Sequence, residues 1–427
     1  MNVRFVVTLD ADTRLPRGAV GRLVGTIAHP LNQPVLDSQT GRVTQGYGVL
    51  QPRITPTLPV EHGGSIFQRI YSGSAGLDPY ASAVSDVYQD LFQEGSFTGK
   101  GIYDLAAFDA AMTNRVPENT LLSHDLFEGV FARAGLVTDI ELFDEFPSNY
   151  LVSAARQHRW ARGDWQLLPW ILGRARDVTG RRSRKSITGI ARWKMIDNLR
   201  RTLSAPLALA TLIAAWTISS VSAGVWTMLV LASVIIPASL PVLTEKMPRH
   251  QGISKRSYIR AVGEDVAAAA AQVGLGITFL AHQAWLMVDA IVRTLVRLCV
   301  TRRNLLEWTT AAQAKASRDL HLPGFYLRMG GVVAIAGATA VTVLVVKPDA
   351  FWIAAPFITL WILSPLVARA VSLPPPTSAS KHLSAASVGT LRLIARRTWL
   401  YFETFVGSDN HWLPPDNFQD EPVPIVD

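Results

Sequence analysis

Asp10-Ala11-Asp12 follows directly on an apolar, β-branched stretch, Val3-Arg4-Phe5-Val6-Val7-Thr8-Leu9. That stretch is about as long as a buried strand, and in an open α/β sheet ligands bind at the carboxyl ends of strands. Two carboxylates at i and i+2 leaving a strand can reach a divalent ion and, through it, the oxygens of a diphosphate, which is hard-cation chemistry suited to Mg²⁺ or Mn²⁺. The same pattern also makes an ordinary turn or helix N-cap, so the residues alone leave both open. A second acidic position closes Leu121-Leu122-Ser123-His124-Asp125, just before a helix-forming Leu126-Phe127-Glu128-Gly129-Val130. Asp125 could take a proton from a hydroxyl as general base, or it could cap the helix together with Ser123. His124, with one nearby carboxylate and neither cysteine nor second histidine at ligand spacing, gives no zinc site.

Arg156, Arg159 and Trp160 stand at i, i+3 and i+4 and so share one face of a helix. Two guanidinium groups and an indole would bind a leaving diphosphate and stack on a sugar or an apolar wall. The competing reading is a basic interfacial helix with Trp160, Trp165 and Trp170 as an aromatic belt. Glu94-Gly95-Ser96-Phe97-Thr98-Gly99-Lys100-Gly101 is glycine-rich but lacks the spacing of a nucleotide P-loop, so it reads as a mobile substrate-facing loop or a plain turn. Lys100 is placed with the diphosphate and acceptor side.

To position these groups, residues 1–175 must form a mixed α/β domain, with Pro/Gly turns such as Gln51-Pro52 and Glu61-His62-Gly63-Gly64 between short strands and helices. No signal peptide is expected ahead of the first strand. The whole chain has 427 residues, 49% hydrophobic and 17% charged, which excludes a disordered chain and argues against a purely soluble one. The single Cys299 excludes a disulfide framework and a cysteine-rich metal site. Net charge +8 gathers beside apolar stretches, as a topology signal rather than a nucleic-acid surface, and no nucleic-acid partner is expected.

Between 181 and 201 the chain carries Arg181, Arg182, Arg184, Lys185, Arg192, Lys194, Arg200 and Arg201 against Asp197, the pattern of an interfacial helix. Residues 202–244 carry no charge and suffice for two membrane crossings with a turn near Ser222-Ala223-Gly224; 329–346 and 350–368 form a second pair about Lys347-Pro348-Asp349. Basic residues flank both pairs (Lys246, Arg249, Lys255, Arg256 and Arg260; Arg302, Arg303, Lys315, Arg318 and Arg328; Arg369 and Lys381), so the positive-inside rule puts all flanks in the cytoplasm. That requires an even count between the pairs, and 266–300 is expected to lie in the interface or re-enter. The apolar runs of the two pairs hold no ionisable residue, which argues against a transporter. The tail 369–427 combines Pro374-Pro375-Pro376, an amphipathic stretch near Leu391–Phe405 and an acidic, Pro-rich end, and reads as a linker.

The order strand-end Asp-Ala-Asp, Gly-rich loop, Ser-His-Asp, Arg-x-x-Arg-Trp and apolar helices resembles the processive family-2-type GT-A glycosyltransferases such as cellulose synthase. Their pattern is Asp-x-Asp, Thr-Glu-Asp and Gln-x-x-Arg-Trp; here Ser123-His124 stand for Thr-Glu and Arg156 for Gln. With Gly46-Tyr47-Gly48-Val49-Leu50-Gln51-Pro52-Arg53, Asp86-Val87-Tyr88-Gln89-Asp90-Leu91-Phe92 and Arg159-Trp160-Ala161-Arg162-Gly163-Asp164-Trp165-Gln166, these departures look like the glycosyltransferase part of cyclic β-1,2-glucan synthases. The resemblance implies inverting transfer of glucose from UDP-glucose to a growing β-1,2-glucan acceptor, at a bacterial inner membrane with the soluble parts cytoplasmic. It makes Asp10 and Asp12 the ligands of Mg²⁺ or Mn²⁺, Asp125 the base, and Arg156, Arg159, Trp160 and Lys100 the diphosphate and acceptor side.

The implied fold is an N-terminally truncated α/β GT-A-like cytosolic domain followed by an all-α membrane region of about four transmembrane helices. The expected divisions are 1–175 for the partial GT-A domain, 176–203 for a basic interfacial helix, 204–244 and 329–368 for transmembrane hairpins, 245–328 for cytoplasmic or interfacial helices, and 369–427 for tail and linker. Expected partners are the lipid bilayer, a separately encoded N-terminal segment and a phosphorylase-like domain. The alternative is a non-catalytic membrane scaffold or an inactive remnant.

Overall fold

The computed structural model describes residues 3–57, 64–72, 87–122, 124–175, 178–180, 187–244, 255–307, 321–374, 384–415, 418–419 and 425–426. Ser123, Asp86, the Glu61-His62-Gly63 turn, Arg181 to Lys185, and the flanking Lys246, Arg249, Lys315, Arg318 and Lys381 lie outside the described residues.

The N-terminal part holds β1 (Phe5–Thr8), β2 (Thr13–Arg14), α1 (Ala19–Ala28), β3 (Val35–Asp37), β4 (Arg42–Gln45), β5 (Val49–Pro56), α2 (Ile66–Tyr71), α3 (Val87–Phe92), β6 (Gly101–Asp104), α4 (Leu105–Met112), α5 (Asp125–Phe131), β7 (Ala134–Asp144), α6 (Tyr150–Gln166) and α7 (Leu168–Ile171). The main sheet has the order β1-β6-β5-β7-β2, and β3 with β4 forms a separate hairpin. β6 runs antiparallel to both β1 and β5, and β5 runs parallel to β7, so β1, β5 and β7 all point one way. Their carboxyl ends therefore share one edge of the sheet with the amino end of β6, and Thr8 pairs directly with Gly101.

The first strand is half-buried along its length and lies at the end of the sheet; the buried centre is β5. Pro52 has no N–H to give a ladder, and the β5–β7 register slips between Pro52 and Arg53, which is how a proline survives in a central strand. Alternation does the rest: Leu50 and Ile54 face one side with Leu23 and Ile27 of α1, while Val49 faces the other with Phe127 and Phe131 of α5.

That second core runs on past residue 175, because Ala191 and Met195 of α8 (Gly189–Thr217) close it. The same helix ends in another cluster through Leu209, Leu212 and Trp216. Around it pack α9 (Ala223–Thr244), α10 (Lys255–Val296), α11 (Leu322–Arg328), α12 (Gly330–Val346) and α13 (Phe351–Ser372). The turn after α8 accepts from Lys347, whose ammonium donates to the carbonyls of Ile218 (3.0 Å) and Val221 (2.7 Å), so the turns of the two expected hairpins lie at one end.

Among the described residues two helical segments are long and apolar enough to cross a membrane, Val262–Thr301 and Pro348–Ser372. A third appears if Leu322–Arg328 and Gly330–Val346, bent by 67°, are one span. The expected 204–244 pair does form two helices: the first arm is the later part of α8, continuous with that helix's charged start, and the second is α9, uncharged along its length. The described residues thus give two or three candidate crossings where four are expected. α10, about 63 Å long at 1.5 Å per residue, touches elements of the sheet half over much of its length. Gln272 donates to the Ile70 carbonyl, His282 meets Tyr150, and Asp289 meets His158.

Residues 376–427 make a second compact unit, with α14 (Ala385–Phe405) and a hairpin of β8 (Phe418–Gln419) and β9 (Ile425–Val426). The expected amphipathic stretch is inside α14, where Tyr401 donates to the Pro415 carbonyl at 2.7 Å and Phe405 packs on Phe418.

Candidate active site

The edge where β1, β5 and β7 end and β6 begins collects the chemistry-bearing residues. Asp10 and Asp12 sit in the turn joining β1 to β2, closed by the Thr13 N–H donating to the Asp10 carbonyl at 3.0 Å. The backbone makes the turn. The Asp10 carboxylate, 62% exposed, instead receives the Lys100 ammonium at 3.0 Å. Lys100 is buried and also pairs with Asp144 at the end of β7. Asp144 is buried too, and it accepts from the Thr13 hydroxyl at 2.6 Å across the β2–β7 ladder, where Thr13 and Asp144 are register partners. Burial by itself lowers the Lys100 pKa, but Asp144 and then Asp10 outweigh it and the pKa is raised.

Asp125 is the first residue of α5, and the N-cap residue His124 makes no side-chain capping bond; Ser123, the other expected cap, lies outside the described residues. Burial pushes it up to about 6; His124 and Lys100 pull it down, Glu128 and Asp10 push it further up. Asp125 thus feels both Asp10 and Lys100 at this edge of the sheet. Gly99 lies against it: with φ +86, a Cβ there would stand 2.9 Å from the Asp125 carboxylate. The Gly-rich segment expected to be a mobile loop is tied down. Lys194 of α8 donates to the carbonyls of Glu94 (2.8 Å) and Gly95 (2.9 Å), and the buried Gln51 accepts from the Thr98 N–H (2.9 Å) and hydroxyl (3.1 Å).

α6 brings the arginines. Burial lowers the Arg156 pKa, while Asp12, Asp144 and Asp10 hold it up and Arg159 opposes it, so this guanidinium lies within electrostatic reach of the carboxylates. It lies 4.6 Å from the Trp160 ring centroid as a cation–π pair, and Trp160 is part-exposed beside it. The belt reading fails for the other two tryptophans: Trp165 donates to Thr202 of α8 at 2.9 Å, and Trp170 packs edge-on against Phe127.

All seven expected residues, Asp10, Asp12, Lys100, Asp125, Arg156, Arg159 and Trp160, are thus linked to one another by contact or by charge. Two residues of the site were missed. Asp144 carries the same signal as Asp10, an acid at the end of an apolar strand. Gln166 accepts from the Leu122 N–H at 2.6 Å, which ties the end of α6 to the loop before Asp125, and nothing in its spacing announces that. His124, Asp125 and Glu128 also come within 4.8 Å of one another, a fuller donor group than one histidine beside one carboxylate. Nδ1 of His124 is engaged there by Glu128 at 2.7 Å, the main cause of its raised pKa.

Asp10 and Asp12 offer hard carboxylate oxygens, exposed or part-exposed at the cleft, and this donor type fits Mg²⁺ or Mn²⁺.

A mixed α/β sheet with carboxylates, a lysine and arginines gathered at its strand ends, packed against long apolar helices, defines the class: an α/β protein with a charged sheet edge and apolar helices of the kind membrane proteins carry. No protein-family model matches the chain. The chain is 44% identical over 425 residues, 99% of its length, to the cyclic β-(1,2)-glucan synthase NdvB of Rhizobium meliloti (strain 1021), and it spans 15% of the length of that protein. The resemblance drawn from the motifs holds, and the chain is homologous to a segment of a cyclic β-(1,2)-glucan synthase.

Proposed function

We propose that this chain is the sugar-transferring part of a cyclic β-1,2-glucan synthase: a membrane-bound, inverting glucosyltransferase that moves glucose from UDP-glucose to a growing β-1,2-glucan. The observation that carries the reading is the convergence of Asp10, Asp12, Lys100, Asp125 and Arg156 on one sheet edge, in a chain 44% identical to a protein named for that synthesis.

Inversion needs one base. The acceptor oxygen attacks the anomeric carbon in line, Asp125 takes the hydroxyl proton, and the bond from that carbon to the diphosphate oxygen breaks. Arg156, Arg159 and Lys100 supply positive charge where the departing diphosphate gathers negative charge. Trp160, with one face on Arg156, offers an apolar wall to a sugar ring. Asp10 and Asp12 would hold Mg²⁺ or Mn²⁺, which neutralises diphosphate oxygens when bound.

The contacts of α10 with Ile70, Tyr150 and His158 support the reading that it runs along the cytoplasmic half rather than away from it, despite its apolar composition. The bacterial inner membrane as the site, with the basic flanks cytoplasmic, belongs to the same proposal.

Membranes expressing the chain are expected to incorporate radiolabelled glucose from UDP-glucose with Mg²⁺ or Mn²⁺, and to lose this with EDTA or in Asp10→Ala. No incorporation, even with the N-terminal and C-terminal parts of a full synthase supplied, would leave a non-catalytic scaffold.

A further inference from the structure

Lys100 has two carboxylate partners of unequal kind. The Asp144 side chain is 10% exposed, fixed by the Thr13 hydroxyl and by strand register; the Asp10 side chain is 62% exposed, on a turn. Removing an ammonium from a buried, hydrogen-bonded carboxylate is costly, whereas releasing it from an exposed one costs little. An ammonium has three N–H donors, so Lys100 can let go of Asp10 and donate elsewhere while Asp144 keeps it. Asp10 is also one of the two carboxylates proposed to take the divalent cation, and a cation 3.0 Å away competes for the same oxygens.

Resting on the metal assignment above, we infer that Lys100 is a resident counter-ion on Asp10, anchored by Asp144, that weakens binding of a divalent cation alone and moves to the phosphate oxygens when cation and nucleoside diphosphate arrive together. The cleft would then favour the metal–nucleotide pair over the bare metal. Asp144 and Thr13 act as positioning residues, since they touch Lys100 or its anchor and not the substrate.

The test uses the full chain purified in detergent, with Mn²⁺ binding followed by the electron paramagnetic resonance signal of the free ion and UDP binding followed by calorimetry in saturating Mn²⁺. Lys100→Met is expected to bind Mn²⁺ alone about tenfold more tightly, and UDP in the presence of Mn²⁺ about tenfold more weakly. Asp144→Asn keeps an acceptor for Thr13 but removes the anchoring charge, so Lys100 rests wholly on Asp10 and Mn²⁺ binding weakens.

A lysine needed only for packing would not give opposite signs, so a Lys100→Met that weakens both ligands or leaves Mn²⁺ unchanged overturns the inference. So does an Asp144→Asn that binds Mn²⁺ as the unaltered chain does, which keeps the test decisive should Lys100→Met fail to fold. Asp10→Asn separates the two levels. If it leaves Mn²⁺ binding intact, the metal assignment itself falls; if it abolishes binding while Lys100→Met does not tighten it, only the counter-ion role falls.

Discussion

Asp125 is the proposed base, and its environment makes a pH prediction. A base works when ionised, and burial places this carboxyl at about 6. Glucosyl transfer should therefore fall as pH drops through about 6 and level off above it; a rate that stays flat to pH 4.5 would remove Asp125 from the role. Asp125→Asn should abolish transfer while the protein still reaches the membrane. Gly99→Ala is a subtler probe, because the added methyl would meet the Asp125 carboxylate in a left-handed backbone conformation. It should cost at least tenfold in turnover with thermal stability lowered by only about 1–2 kcal/mol. Asp10, Lys100, Asp125 and Arg156 were legible because their residue types sit in loops or on a helix face where a core has no use for them. Asp144 carries the same strand-end signal, but its meeting with Lys100 was not legible, since that follows from the Thr13 pairing and the sheet register.

At the scale of elements, α6 is a two-faced helix. Arg156 looks to the cleft, while Tyr150, Ala154, His158 and Ala161 turn to the apolar helices. The Tyr150 hydroxyl and His282 Nδ1 are 2.7 Å apart, and the Tyr150 ring stacks on Phe279 with centroids 4.0 Å apart. Tyr150→Phe keeps the stack and strands the histidine nitrogen, which should cost about 1–3 kcal/mol in a thermal melt in detergent. An unchanged melt would mean that water reaches His282. The helical period and the apolar runs showed that these helices exist. What they did not show was partnership: an apolar stretch reads the same whether it meets lipid or another helix, so α8 and α10 could not be sorted by composition.

For the whole molecule, the proposed orientation can be read with one native probe. Cys299 is the single cysteine and is exposed, just past the end of α10. A membrane-impermeant maleimide should label it in inverted vesicles and not in right-side-out ones. Labelling from the outside alone would put α10 across the bilayer and reverse the assignment of its flank.

Lys194, Ala191 and Met195 reach from the first long helix into the floor and loop of the sheet half, and Tyr150 and Ala154 reach back into the bundle. Each half completes the other's interior. A chain stopped at residue 175 would bare the undersides of Phe127 and Leu167 to water and should aggregate. Anyone wanting a water-soluble form would have to recolour the outward-facing apolar side chains of the helices, because the described residues offer no seam along which to excise them.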